Sequence, residues 1–198
     1  LVREALCQTE LSAGKLSIFI LKDIPIVLNL KSNKIIIEQI IKGSVIKQNF
    51  LISGISSQDG AFLAKKALDE GFNVVGTSRK DPKYDFENFS ALEKIGILEH
   101  LEILTTDFSS KESTNSLLKK YNPSYIAHFA SQSSVFNSIA KKEETFKVNY
   151  LDTVEIIKSI QQVCPETIFF FPSSATIYEG YSNKIINETV KPRPLSNY

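Results

Sequence analysis

Gly54 and Gly60 bracket the stretch Gly54-Ile55-Ser56-Ser57-Gln58-Asp59-Gly60, which lies between an apolar run, Phe50–Ser53, and a segment of helical periodicity. At a strand-to-helix turn, such a loop aims backbone N–H groups and the positive end of a helix dipole at one point. A pyrophosphate is a ligand that can use both. Gly54 permits the tight turn, and Gly60 allows close approach of helix and strand. The spacing is GxxxxxG, with Ser57 where a G-x-x-G-x-x-G pattern has its middle glycine. A plain strand–helix turn can carry the same glycine pair, so the setting rather than the pair supports nucleotide binding. The next apolar run ends Thr77-Ser78-Arg79-Lys80, with Asp81 following. A site reading a free ribose wants a carboxylate about 20 positions after the first glycine. Arg79 can instead fork onto a 2′-phosphate and Lys80 adds charge, which favours NADP over NAD. A solvated Arg-Lys pair at a strand end is the bland alternative.

These residues need elements to hold them. From Asn49 onward, short apolar runs alternate with helical segments. Phe50–Ser53, Asn73–Thr77, Leu101–Leu104, Ser124–Ala130 and Thr167–Phe171 read as strands. Ala61–Glu70, closed by Gly71, Ser113–Lys120, stopped by Pro123, and one long amphipathic segment, Thr145–Val163, read as helices. Strands separated by helices imply right-handed crossovers and a parallel sheet. Upstream, Ser17–Leu21 and Ile24–Leu28 look like strands, and Asn33 could cap a helix through Ile41 that stops at Gly43. We read 1–45 as an N-terminal extension without a chemical motif and 46–198 as the nucleotide-binding domain.

At 198 residues the chain is near one domain, and a composition of 42% hydrophobic and 23% charged residues excludes a disordered tail. A net charge of +1 supplies no field that would recruit nucleic acid or an anionic membrane. No stretch approaches the roughly 20 apolar residues of a membrane span. Two cysteines, Cys7 and Cys164, make no disulfide framework and favour a reducing, cytoplasmic setting. His128 is expected to pack at the cofactor's edge rather than move protons, and His100 to lie at the surface. The two histidines and scattered acids form no metal constellation. Phe169–Phe171 reads as core strand. With Leu1 at its start, no methionine, and an ending at Tyr198, the chain reads as part of a longer protein.

The segment Ile52–Leu63, with its Gln-Asp-Gly, resembles the first turn of the extended short-chain dehydrogenase/reductases, most closely their GDP-mannose 4,6-dehydratase branch. Further stretches match in order. Val75–Lys80 resembles the branch's second strand with its NADP-phosphate arginine, and Thr106-Asp107-Phe108-Ser109 resembles a turn that contacts adenine. Phe129-Ala130-Ser131-Gln132-Ser133 resembles a cofactor-side Leu-Ala-Ala-Gln-Ser, and Val148-Asn149 with Thr153 a Val-Asp/Asn-x-x-Gly-Thr helix. Pro192–Tyr198 resembles the approach to a Tyr-x-x-x-Lys pair, ending on the tyrosine. The resemblance covers about residues 46–198.

It implies a Rossmann-type doubly wound parallel α/β sheet, truncated before the substrate-binding region, that binds NADP. It implies a nucleotide-sugar substrate, GDP-mannose above others, and a homo-oligomeric parent. It places Gly54 to Gly60, Arg79, Asp107, Phe108 and Phe129 to Ser133 at the cofactor. It casts Tyr198 as the base and Ser174 as the hydroxyl that hydrogen-bonds the reacting oxygen. A free tyrosine titrates near pH 10, so a nearby lysine and a cationic cofactor are needed to hold its phenolate. Without that lysine the chain as it stands is expected not to turn over sugar. Thr176 stands where the dehydratases carry a glutamate that shuttles the C5 proton, with Glu179 three residues on. Asp152 replaces a glycine, and Glu144 a cofactor-side tyrosine. Redox chemistry at C4 survives these changes on paper, which leaves a 4-ketoreductase or 4-epimerase as the alternative enzyme and a non-catalytic NADP-binding module as the third reading.

Overall fold

The computed structural model describes residues 6–8, 18–20, 48–106, 108–181, 185–187 and 189–196. Strands β1 (Leu6–Gln8) and β2 (Ile18–Ile20) pair antiparallel as a separate two-stranded sheet. The first thus realises nothing foreseen, and the second falls inside the expected Ser17–Leu21 strand. The expected strand at Ile24–Leu28 and helix from Asn33 lie outside the described residues.

The main sheet has five parallel strands: β3 (Asn49–Ser53), β4 (Asn73–Ser78), β5 (Glu102–Thr105), β6 (Tyr125–His128) and β7 (Ile168–Phe170). Their order is β5-β4-β3-β6-β7. The chain steps outward from β3 to β5, then returns to the other side of β3 for β6 and β7. Strand order therefore reverses between β3 and β6, and a crevice opens beyond their carboxyl ends. This is a Rossmann-type doubly wound sheet.

Alternation along the strands divides the core between two faces. Leu51 and Val75 join Leu117, Leu118, Ile126, Ile156, Ile160 and Phe169 on one face. Ile52 and Val74 join Ile55, Ala64, Phe89 and Leu92 on the other. Helices α3 (Lys111–Tyr121) and α6 (Asp152–Val163) cover the first face. Helices α1 (Gln58–Asp69) and α2 (Ser90–Lys94) cover the second. The buried stripe of α1 is made of Gly60, Ala61, Ala64 and Ala67, small residues that let the helix lie close on the sheet. Gly71 ends α1 at φ +87°, with its N–H on Leu68 O and that of Phe72 on Ala67 O.

Two helical expectations shift. Helix α1 begins at Gln58 rather than Ala61, because the Ser57 hydroxyl accepts the Gly60 N–H and caps it. The segment expected as one helix from Thr145 starts at Lys142 and runs as α5 (Lys142–Phe146), a π-turn (Lys147–Leu151) and α6. Within that turn Asn149 is bonded to the backbone of Gln132. A short α4 (Val135–Ala140), capped by Ser134, precedes it. No described helix is long and apolar enough to cross a membrane.

Candidate functional site

The crevice holds a cleft of about 770 Å³. Its floor is the β3–α1 loop. Gly54 sits at φ +70°, and a Cβ there would stand 2.7 Å from the Ala130 nitrogen, so the loop and the end of β6 touch without room for a side chain. Gly54 and Ile55 donate their N–H groups to Thr77 O, at 3.0 and 3.3 Å, tying the loop to β4. Ile55 is fully buried and its side chain packs over Gly76. It shapes the loop from beneath instead of lining the cleft. Ser56 and Ser57 do line it, beside the amino end of α1. Ser57, in the middle-glycine position, uses its hydroxyl on the Gly60 N–H at 3.1 Å.

The cleft's far end is cationic. Arg79 and Lys80 line it at the end of β4. Lys80 is engaged by Asp85 at 3.0 Å, and its N–H by the Ser78 hydroxyl. Asn88, which the sequence reading passed over, donates to Ser56 Oγ at 3.1 Å and so closes the wall between β4 and the loop. Thr106 and Phe108 line the same cleft; Asp107 lies outside the described residues.

A second cleft of about 420 Å³ adjoins the first, sharing Ser57, His128, Phe129 and Ser131 with it. Ser133, Asp59, Ser174 and Thr176 line this smaller one. Ser174 begins a 3₁₀ turn (Ala175–Tyr178), and its Oγ accepts from Thr176 Oγ1 at 2.9 Å, leaving the Ser174 proton to donate. Glu179 is exposed and lines neither cleft, so Asp59 is the carboxylate that the described lining of the smaller cleft contains. Tyr198 lies outside the described residues.

Gln132 and His128 are both bonded to the protein itself. Gln132 lines neither cleft. Asn149 holds its backbone, and its side chain donates to Ser134 O and Thr145 Oγ1. Gln58 is likewise absent from both linings. His128 is 2% exposed, edge-on to Phe108 and near-parallel to Phe169 and Phe171. Its Nδ1 shares a hydrogen bond with Ser53 Oγ, which also accepts the Ala130 N–H. Burial pushes its pKa down to about 4, so the ring is neutral at pH 7 and serves packing. His100 is exposed. Among the described residues, no group of three or more His, Cys, Asp or Glu could hold a metal.

A family model described as GDP-mannose 4,6 dehydratase matches residues 51–198. The chain belongs to the GDP-mannose 4,6 dehydratase family. A GDP-mannose 4,6-dehydratase of Vibrio cholerae is 25% identical over 156 residues, a match covering 77% of this chain and 42% of that protein. The structure of the UDP-Glc/GlcNAc 4-epimerase of Campylobacter jejuni matches with a TM-score of 0.66 at 20% identity, covering 76% of this chain and 44% of that one. The UDP-glucose 4-epimerase of Thermus thermophilus in complex with NAD matches with a TM-score of 0.62 at 22% identity, covering 76% and 46%. These two likenesses are of fold. The chain spans less than half the length of each of these relatives.

Within the family pattern, the departures read from the sequence acquire places. Glu144 and Asp152 both line the larger cleft, on the wall made by α5, the π-turn and α6. Lys147 lines it beside them. Lys147 and Asp152 stand five apart, a spacing that an α-helix puts on different faces, so no helical pattern could have joined them.

Proposed function

We propose that this chain forms the cofactor-binding part of an NADP-dependent nucleotide-sugar 4,6-dehydratase, acting on GDP-mannose to give GDP-4-keto-6-deoxymannose. The observation that carries the reading is the larger cleft, with the amino end of α1 at its floor and Arg79 at its end, inside a chain of this family. The donor set fits the dinucleotide: a helix N-terminus for a diphosphate, and a guanidinium for a 2′-phosphate. When bound, NADP would supply a hydride acceptor at C4 of the sugar and a hydride donor at C6. Gly54 and Ser57 shape the diphosphate seat, Phe129 to Ser131 form the passage to the smaller cleft, and Ser174 donates to the reacting oxygen. Tyr198 takes the proton from the sugar hydroxyl. The parent is proposed to be a homo-oligomer, which the exposed Phe136, Ile139 and Phe146 on α4 and α5 support.

One observation favours a second reading, a 4-ketoreductase or 4-epimerase. Thr176, which bonds to Ser174, stands where a dehydratase needs a carboxylate, and Glu179 lies away from both clefts. The full-length gene product incubated with GDP-mannose separates the two. A product lighter by one water and carrying a 6-methyl signal supports the dehydratase. GDP-mannose recovered intact, or as its 4-epimer, supports the second reading and refutes the first.

A further inference from the structure

Lys147 Nζ lies 3.0 and 3.1 Å from the two carboxylate oxygens of Asp152. In an α-helix, residues five apart diverge by about 140° around the axis. The π-turn Lys147–Leu151 adds roughly one residue to the turn and brings the two back onto one face. That face lines the larger cleft. The lysine side chain is 51% exposed and the aspartate only 16%. A mostly covered carboxylate beside an anion's seat opposes the anion, and Lys147 is the cation that offsets it. Glu144 on the same wall is engaged by Lys141. Arg79 and Lys80 follow β4, which pairs with one side of β3, whereas Lys147 opens the π-turn in the segment after β6, which pairs with the other side. The amino end of α1 rises from between them. Arg79 and Lys147 thus both line the cleft that would take a dinucleotide, from segments that follow different strands.

We propose that Lys147 is a diphosphate-binding residue of this cleft, which exchanges the Asp152 carboxylate for a phosphoryl oxygen when ligand enters. The inference rests on the dinucleotide reading above. The half-exposed Lys147 ammonium is screened by solvent, which weakens its hold on Asp152, and a phosphate oxygen offers a charge-assisted hydrogen bond in return.

The test uses two probes titrated calorimetrically into the full chain: ADP-ribose, which has the diphosphate and lacks a 2′-phosphate, and adenosine 2′-monophosphate, which has the reverse. Lys147→Gln weakens ADP-ribose about tenfold and leaves adenosine 2′-monophosphate within about twofold, the expectation for one lost charge-assisted contact. Arg79→Ala shows the opposite pattern. Asp152→Asn, which removes the competing carboxylate, tightens ADP-ribose, and adding Lys147→Gln to it cancels the gain. Lys147 is half exposed and Asp152→Asn is nearly isosteric, so these variants are expected to keep the fold, which circular dichroism checks. ADP-ribose affinity unchanged in Lys147→Gln, or equal losses for both probes, overturns the role of Lys147 alone. Failure of the parent chain to bind either probe overturns the dinucleotide reading and this inference with it.

Discussion

Asn149 clamps both backbone polar groups of Gln132: its Oδ1 accepts the N–H at 2.8 Å and its Nδ2 donates to the carbonyl at 3.0 Å. This pair of bonds ties the π-turn to the loop that separates the two clefts. Asn149→Ala leaves both Gln132 groups without a partner in a half-buried setting, a loss of about 1–3 kcal/mol. Chemical denaturation measures it, and Asn149→Asp, which keeps only the acceptor, should fall between. A variant within about 0.5 kcal/mol of the parent, the range of ordinary surface changes, would show that the clamp does not hold the loop.

His128 predicts a pH dependence of stability. Its folded pKa is pushed down from 6.5 to about 4 by burial. Between those values the unfolded chain binds a proton that the folded chain refuses, so stability falls as pH drops from 6.5 toward 4. At roughly 1.4 kcal/mol per pH unit the full effect is about 3 kcal/mol. His128→Gln should flatten that part of the denaturation-versus-pH profile. An unchanged slope in the variant would assign the acid sensitivity to other groups.

Much of the frame was legible because it is local. The alternation of Phe50–Ser53, a glycine-bounded loop, a helix and Asn73–Thr77 announces a crossover unit, and all five expected strands of the main sheet form within two residues of their expected limits. What escaped depends on distant partners. The family resemblance puts Gln132 beside the cofactor, and nothing local in the sequence says that Asn149, 17 positions on, takes its backbone. Ser53 and His128 meet across adjacent strands at a separation of 75 residues. The Asn88 contact with Ser56 comes from a 3₁₀ turn (Phe86–Phe89) that carries no periodic signal. The π-turn was invisible for a different reason, since helical pattern-reading assumes the spacing that the turn breaks.

Gly54→Ala tests the closeness of the loop to β6. The left-handed backbone at φ +70° disfavours any Cβ by about 1–2 kcal/mol, and the contact with the Ala130 nitrogen adds to that. Thermal unfolding should fall and dinucleotide affinity with it. Parent-like stability and affinity would show that the loop can move away from β6 at no loss.

Ser174→Ala removes a hydroxyl that lines only the smaller cleft. In the full-length gene product, turnover of the nucleotide sugar should drop by roughly 100-fold or more, the scale of a lost hydrogen-bond donor to the reacting oxygen, while dinucleotide affinity holds. Loss of both together would move Ser174 from the reaction to the fold.

The central claim, that the crevice between β3 and β6 is an NADP site, is tested most directly by titrating NADPH and NADH into the chain and into Arg79→Ala, following nicotinamide fluorescence. The account predicts saturable one-to-one binding, NADPH tighter than NADH. It also predicts that the Arg79 variant loses about tenfold to a hundredfold for NADPH alone, as expected for one charge-assisted fork. Equal affinities for the two nucleotides, or equal losses in the variant, would contradict it.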